Sequence, residues 1–432
     1  MTGAPGPTAD RGGAAVRWTR WAAVGVTAVL PLVVVPGLEA PFSTPKLALL
    51  GVWVVSGLVV LAIARIHPLA DCGTAVLVLV PGWASAVSAS ALGSREASVE
   101  ILLLALLPVG AFLLLCGLRP EPTALLQAAT LAGGAVAALA LLQYSGLNPF
   151  GLLGWSGPAY GSPRMRVYGT LGNPNFVAAF LAASAPAAWA VAIRAAGWRR
   201  TLAWLALAVV AAGTLATGSR APALVLLILA VGSLFRSSRR SALGLAVLAA
   251  VVVLLSAARP LTETVQGRVH IWRVSLPHVL DHPWLGGGPG SFALDYPRWE
   301  TARLAEGTLP PGAERFAGLQ RHAHNDYLEI LVDYGLAGLL LFSAVAALAI
   351  RRSTAAAKRG GGPEKTGAAA GLIAILALAL VDFPLHRPAE SFLFWTFLWI
   401  VLSPGQDEPA QGAGETSGRE GRRRHFSIGG AV

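Results

Sequence analysis

Long apolar runs alternate with short polar connectors along most of the chain. The runs fall at 21–38, 47–64, 73–91, 101–118, 124–143, 176–193, 202–217, 221–235, 242–258, 327–350, 368–383 and 389–403. A membrane-crossing helix needs roughly 20 mostly apolar residues. The runs are continuous, without the two-residue alternation of a barrel strand, so only helices fit. The pattern predicts an all-α, polytopic integral membrane protein with about 12 transmembrane helices. A long periplasmic loop, 259–323, separates the ninth helix from the tenth. The shorter runs read as tilted partners or partly re-entrant segments.

The first run follows Arg17 and Arg20 and has the look of a signal peptide. Pro31, Pro36 and the lack of a small-x-small cleavage site favour a retained helix. Residues 1–20 form a cytoplasmic N-terminus whose first part is rich in Gly, Pro and Ala and reads as disordered. Residues 21–403 form the membrane domain, and 404–432 a disordered basic cytoplasmic tail ending in Arg422-Arg423-Arg424-His425. That basic run fits the surface of anionic membrane lipids.

Composition agrees. The chain is 55% hydrophobic and 13% charged, against about 25% charged in soluble domains. Its mean hydropathy is +0.62. This argues against a soluble enzyme, a disordered protein and a DNA-binding domain, and no nucleic-acid partner is expected, despite a net charge of +11. Cys72 and Cys116 have no ligand-like spacing and read as two buried apolar thiols.

The charges do orient the chain. With both termini in the cytoplasm, 20 of the 33 Lys and Arg residues fall on inside segments. Only 6 fall in short outer loops, and 7 lie in the long loop, which is exempt from the positive-inside rule.

The informative polar segments collect on the predicted outer side. Asn173 and Asn175 precede a helix and read either as turn and cap residues or as substrate contacts. Arg220, in Thr217-Gly218-Ser219-Arg220-Ala221-Pro222, is held at the outer surface. It reads equally as a functional group or as a snorkelling arginine. In the long loop, Val265, Val269, Trp272 and Leu276 mark one face of an amphipathic helix, expected in the interface plane with Trp272 at headgroup level. Arg268 flanks that stripe and is either an anion site near helix amides or a headgroup contact. The Gly-rich stretch from His282 to Gly290 is a rigid turn; it lacks the flanking strand of a nucleotide site.

Arg321-His322-Ala323-His324-Asn325-Asp326 leads into the tenth span. Asp326, Glu329 and Asp333 follow i, i+3, i+7, so one helix face carries three carboxylates, with the outer arginines as expected partners. A metal site on His322, His324 and one Asp is weakly supported, and none is expected. His324 can serve as a general base without one.

Together these segments resemble the O-antigen ligase family, which also includes O-antigen polymerases and bacterial protein O-oligosaccharyltransferases. The carrier is His324-Asn325, nine residues from Asp326 to Tyr334, then Gly335-Leu336-Ala337-Gly338. Gly172-Asn173-Pro174-Asn175, Thr217-Gly218-Ser219-Arg220, and Gly267-Arg268 running through Trp272 to the His282–Gly286 turn also look like family segments. The likeness covers roughly residues 140–350.

The resemblance implies a multi-pass protein of the inner (plasma) membrane with its active site on the periplasmic or outer face. It implies a metal-independent, inverting glycosyltransferase that needs no cofactor or nucleotide sugar. The donor would be a glycan on undecaprenyl diphosphate. The acceptor would be a hydroxyl of lipid A-core, of a growing glycan or of a protein. Arg220 and Arg268 would stabilise the leaving diphosphate and His324 would act as base. Asn173, Asn175, His322 and Asn325 would contact substrate. A polymerase of the same superfamily and, in a different class, a solute or anion transporter stand as alternatives. A transporter calls for polar or broken helices near the midplane, whereas these polar residues lie at the outer edge.

Overall fold

A computed structural model describes residues 13–67, 95–155, 166–237, 263–358 and 362–403. The runs at 73–91 and 242–258 lie outside these, as do Cys72 and the tail 404–432. Every other apolar run overlaps a helix, and the described residues contain no strand.

The first half of the chain gives α1 (Ala14–Val29), α2 (Thr44–Ile63), α3 (Arg95–Leu118), α4 (Pro122–Tyr144), α5 (Pro174–Arg194) and α6 (Gly197–Ala216). Then come α7 (Arg220–Ser237), α8 (Glu263–Ser275), α9 (Ser291–Ala305), α10 (Asp326–Lys358), α11 (Pro363–Leu378) and α12 (Pro388–Leu402). The first helix begins earlier than its apolar run. It closes in a short 3-10 turn, Leu30–Leu32, where Pro31 has no N–H to continue the ladder.

Among the described residues, five helices are long and apolar enough to cross a membrane: Thr44–Ile63, Pro122–Tyr144, Pro174–Arg194, Gly197–Ala216 and Asp326–Ala355. Several turn apolar side chains outward. Val52 and Ile63 on α2 are 69% and 78% exposed, a surface that lipid would cover and water would not tolerate. Inside, small residues let helices approach closely. A Cβ on Gly213 of α6 would press on Ala137 of α4, and one on Gly371 of α11 would meet the Ala183 carbonyl of α5.

Cations gather at one end of the bundle. Arg20 donates to Leu118 O at 2.7 Å, Arg352 to Leu402 O at 3.1 Å and Lys365 to Ser403 O at 2.8 Å. These side chains satisfy carbonyls that helix ends leave open. The other end is built from the α1–α2, α4–α5, α6–α7 and α11–α12 connections and the start of α10. Buried Lys46 ties it together, donating to Val33 O, Phe42 O and Thr170 O at 2.6–2.8 Å.

The long loop is folded. Ile271, Val274, Phe292, Tyr296, Ala323, Leu328 and Val332 form its own small core against α10. This corrects the expected face of α8. Its buried residues are His270, Ile271, Val274 and Ser275, while Val265 and Leu276 are exposed. Trp272 is partly buried and donates Nε1–H to Ala323 O at 2.8 Å, so it anchors the loop. The helix packs on protein, and protein contacts chose the face.

Candidate active site

The His324 motif is positioned by a break in α10. Gly335 has φ 66° and ψ −168°, backbone that a side chain rarely adopts. A Cβ there would strike the Trp284 and Leu285 backbone, and one on Gly286 would strike Asp333 and Tyr334. The two glycines let the His282–Gly290 turn lie directly in the break. Gly287 N donates to Val332 O at 3.0 Å, Gly288 N to Asp333 O at 2.9 Å and Leu336 N to Pro283 O at 2.8 Å. The broken helix thus has its freed carbonyls satisfied by the loop.

All three carboxylates on the first segment of α10 are buried. The expected arginine partners are not the ones found. Asp326 accepts from Leu385 N at 2.9 Å and lies 2.7 Å from His386 Nδ1. Glu329 contacts His322 Nδ1 at 2.9 Å and His386 Nε2 at 3.3 Å, and accepts from Ala323 N at 2.8 Å. Asp333 accepts from Gly290 N, Ser291 Oγ and Phe292 N at 2.8–3.0 Å, which caps the start of α9. These partners come from segments packed directly against α10, the turn before α9 and the Phe383–His386 segment, while Arg387 pairs with Asp382 instead.

His324 sits between these anchors with φ 51°, uncommon for a residue with a side chain. Ala323 before it is pinned by Trp272 and Glu329, and Asn325 after it accepts from Leu328 N at 3.1 Å as a helix cap. The imidazole faces Asp382, with Nδ1 3.5 Å from Oδ1. Asp382 accepts from Arg387 Nη1 at 2.9 Å. Burial alone would raise the Asp382 carboxyl. The Arg387 guanidinium, the His324 ring and Arg268 instead hold it well below the usual carboxylate range. Arg387 lies over Phe176 at 4.2 Å and faces Glu390 at 2.9 Å. Arg268 is the other cation near Asp382. Burial lowers its affinity for a proton, Asp382 counteracts this, and its Nε is buried with no hydrogen-bond partner among the described residues.

Residues 205–343 match the O-antigen ligase family model. The match spans about a third of the chain and includes Arg220, Arg268, His322, His324 and Asn325. No curated protein matches the chain. Asn173 and Asn175 lie before the O-antigen ligase segment. Asn173 accepts from Asn175 N at 2.9 Å as the cap of α5, and Asn175 Oδ1 accepts from Ser219 Oγ at 2.8 Å. That bond links the cap to the turn carrying Arg220, whose side chain is exposed at the start of α7. Arg268 and His324 converge on Asp382, and His322 stacks on Phe383 at 4.2 Å beside them.

Sequence reasoning missed Asp382, His386, Arg387 and Lys46. Their signal was present: Asp382-Phe-Pro-Leu-His386-Arg387 puts one ionisable group at the end of an apolar run and two in the connector before the next. Arg387 and Lys46 are two of the six cations in short outer loops, where a count of charges treats them only as exceptions to the positive-inside trend. His322, Glu329 and His386 offer ligand atoms within 4.8 Å of one another, a set that could hold a metal ion. Their direct contacts close the same network as hydrogen bonds.

Proposed function

We propose that the protein is a membrane glycosyltransferase of the O-antigen ligase type. It moves a glycan from undecaprenyl diphosphate to an acceptor hydroxyl at the periplasmic or outer face of the plasma membrane. The twelve-span topology with cytoplasmic termini belongs to the same reading. The observation that carries it is the His324–Asp382 pair, flanked by Arg268, at the loop end of the bundle.

The chemistry follows from those atoms. Nδ1 of His324 faces the Asp382 carboxylate, which favours the tautomer with its proton on Nδ1 and leaves Nε2 to accept a proton. The acceptor oxygen attacks the anomeric carbon as its proton passes to Nε2. The carbon–oxygen bond to the diphosphate breaks, and the electron pair leaves with the diphosphate oxygen. Arg268 and Arg220 stabilise that anion, so no metal ion is required. Direct displacement inverts the anomeric centre. In this reading Asn173, Asn175, His322 and Asn325 contact substrate, while Asn173 and Asn325 also cap helices and His322 also pairs with Glu329. Lipid A-core, a growing glycan and a protein hydroxyl are the acceptor classes. A growing glycan would make the enzyme a polymerase. Placement of the ionisable groups at one end of the bundle supports transfer over solute transport.

The test is reconstitution with a lipid-diphosphate-linked glycan and each acceptor class, following release of undecaprenyl diphosphate. His324→Ala should abolish release while the melting profile stays unchanged. Full activity in that variant would remove His324 as base.

A further inference from the structure

After α8 the chain makes a short 3-10 turn, Leu276–Leu280, and then enters the His282–Gly290 turn that fills the break in α10. The 3-10 turn packs against α10, and its Val279 joins the small core of the loop. The other large apolar side chains of this stretch stay outside that core. Leu276, Leu280, Trp284 and Leu285 are 60–77% exposed. Single exposed apolar residues are ordinary, but four within ten consecutive positions call for a partner. The stretch after α9 differs: Glu306, Thr308, Glu314 and Arg315 are exposed there, with Leu319 a lone exposed apolar side chain.

The depth of the segment follows from α10. Between Gly335 and Arg351 the helix has 15 residues without a charge. They span only about 22 Å at 1.5 Å per residue. A hydrocarbon core is about 30 Å thick and takes roughly 20 residues, and tilt only raises that number. Counted back from Arg351, about 20 residues reach Leu331, which precedes the break. Asp333 can enter that depth because it is buried and the Gly290 and Phe292 amides donate to its oxygens. The break therefore lies at or inside the outer edge of the hydrocarbon. Leu336 N donates to Pro283 O at 2.8 Å and Ala337 N to Trp284 O at 3.1 Å, which fixes the turn at the same depth.

The outward surface is continuous in character across that joint. Leu336 and Leu340, one helical turn apart on α10, are exposed as well. Tryptophan is the residue favoured where hydrocarbon meets headgroups. The acid of the segment, Asp281, lies 2.8 Å from Nδ1 of His278, and pairing lowers the cost of bringing it near lipid.

We propose that the Leu276–Leu285 segment is immersed in the outer leaflet, with Trp284 and Leu285 against lipid at the level of the break and Leu276 and Leu280 beside them. The partner is the lipid surface itself. The part of the chain that carries His324 is thereby tied to the membrane by a second contact besides its own helix. The inference rests on α10 being a membrane span and is independent of the transfer chemistry.

The test places a spin label through Leu280→Cys, Trp284→Cys, Glu306→Cys or Leu340→Cys, one at a time, in the full chain in phosphatidylcholine nanodiscs. Cys72→Ser removes one native thiol, and Cys116 is buried and escapes the label. All four positions are exposed, so each variant should keep the wild-type melting profile. Collision rates are read with oxygen, which concentrates in hydrocarbon, and with a polar nickel chelate, which stays in water. The ratio of oxygen to chelate at 280 and 284 should exceed that at 306 by about tenfold and approach that at 340. A ratio at 280 and 284 equal to that at 306, with 340 in lipid, would overturn the proposal. Low rates with both probes at 280 and 284 would also overturn it, because a protein surface such as a second copy of the chain would then cover the segment. A water-like ratio at 340 would remove α10 as a span and the proposal with it. Transferase activity enters none of these outcomes, so the ligase reading stands or falls separately.

Discussion

Nδ1 of His324 faces Oδ1 of Asp382 across 3.5 Å, while Arg387 holds the other oxygen of that carboxylate at 2.9 Å. The first contact is long for a hydrogen bond. Catalytic contacts are often long before substrate arrives and tighten in the complex. Asp382→Asn keeps the shape and removes the charge. Transfer should fall about 100-fold or more, in the range of general-base losses, with donor affinity nearly unchanged. Single-turnover rates and donor titration on the same preparation measure both. A wild-type rate would show that Asp382 is a structural partner of Arg387 alone.

Gly335 carries a second prediction. Its positive φ and the approach of Trp284 both require the absence of a side chain. Gly335→Ala should cost about 1–3 kcal/mol from backbone strain, plus whatever the Trp284 clash adds. The melting temperature in detergent should drop by several degrees. Transfer should drop too, because the turn that fills the break and the His324 segment share the first part of α10. An unchanged melt would mean that the turn and α10 separate freely.

These two residues show how far the sequence could be read. Gly335 was visible as part of a spaced motif, and Asp326, Glu329 and Asp333 were visible as one helix face, because helical periodicity is local. Their partners were not visible. His386 is 60 residues from Asp326 and Lys46 is 124 from Thr170, so only tertiary packing brings them together. The apolar runs gave the helices for the same local reason. The run 368–383 extended past the helix end at Leu378 because Val381 and Phe383 are apolar, yet they form the turn that holds Asp382. The fold of the long loop escaped detection because α9 buries Glu300 against His270 and Tyr296, a polar core that hydrophobic patterning does not register.

His386 predicts a pH dependence of stability. Burial alone would lower its pKa, but Glu329, Asp326 and Asp333 outweigh burial and raise it to about 10, from 6.5. The folded chain therefore holds this proton more tightly than the unfolded chain. Its stabilisation is fully present below pH 6.5 and is lost as pH rises towards about 10. Melting temperature should decline across that window, and His386→Gln should flatten the decline. An identical slope in the variant would assign the loss to other groups.

Arg220 supplies a test free of stability effects. Its side chain is exposed at the first position of α7, and none of its contacts falls among the described hydrogen bonds or ion pairs. Its backbone, in contrast, is fixed: Ser219 beside it bonds to Asn175 on α5. A well-placed backbone with an uncommitted guanidinium is suited to a ligand that arrives from outside. Arg220→Lys keeps the charge and loses the two-pronged geometry that matches a phosphate. KM for the lipid-linked donor should rise about tenfold, with the melting temperature unchanged because an exposed side chain adds little stability. A kcat/KM equal to wild type would remove Arg220 from donor recognition and leave the diphosphate to Arg268 and the buried cations around Asp382.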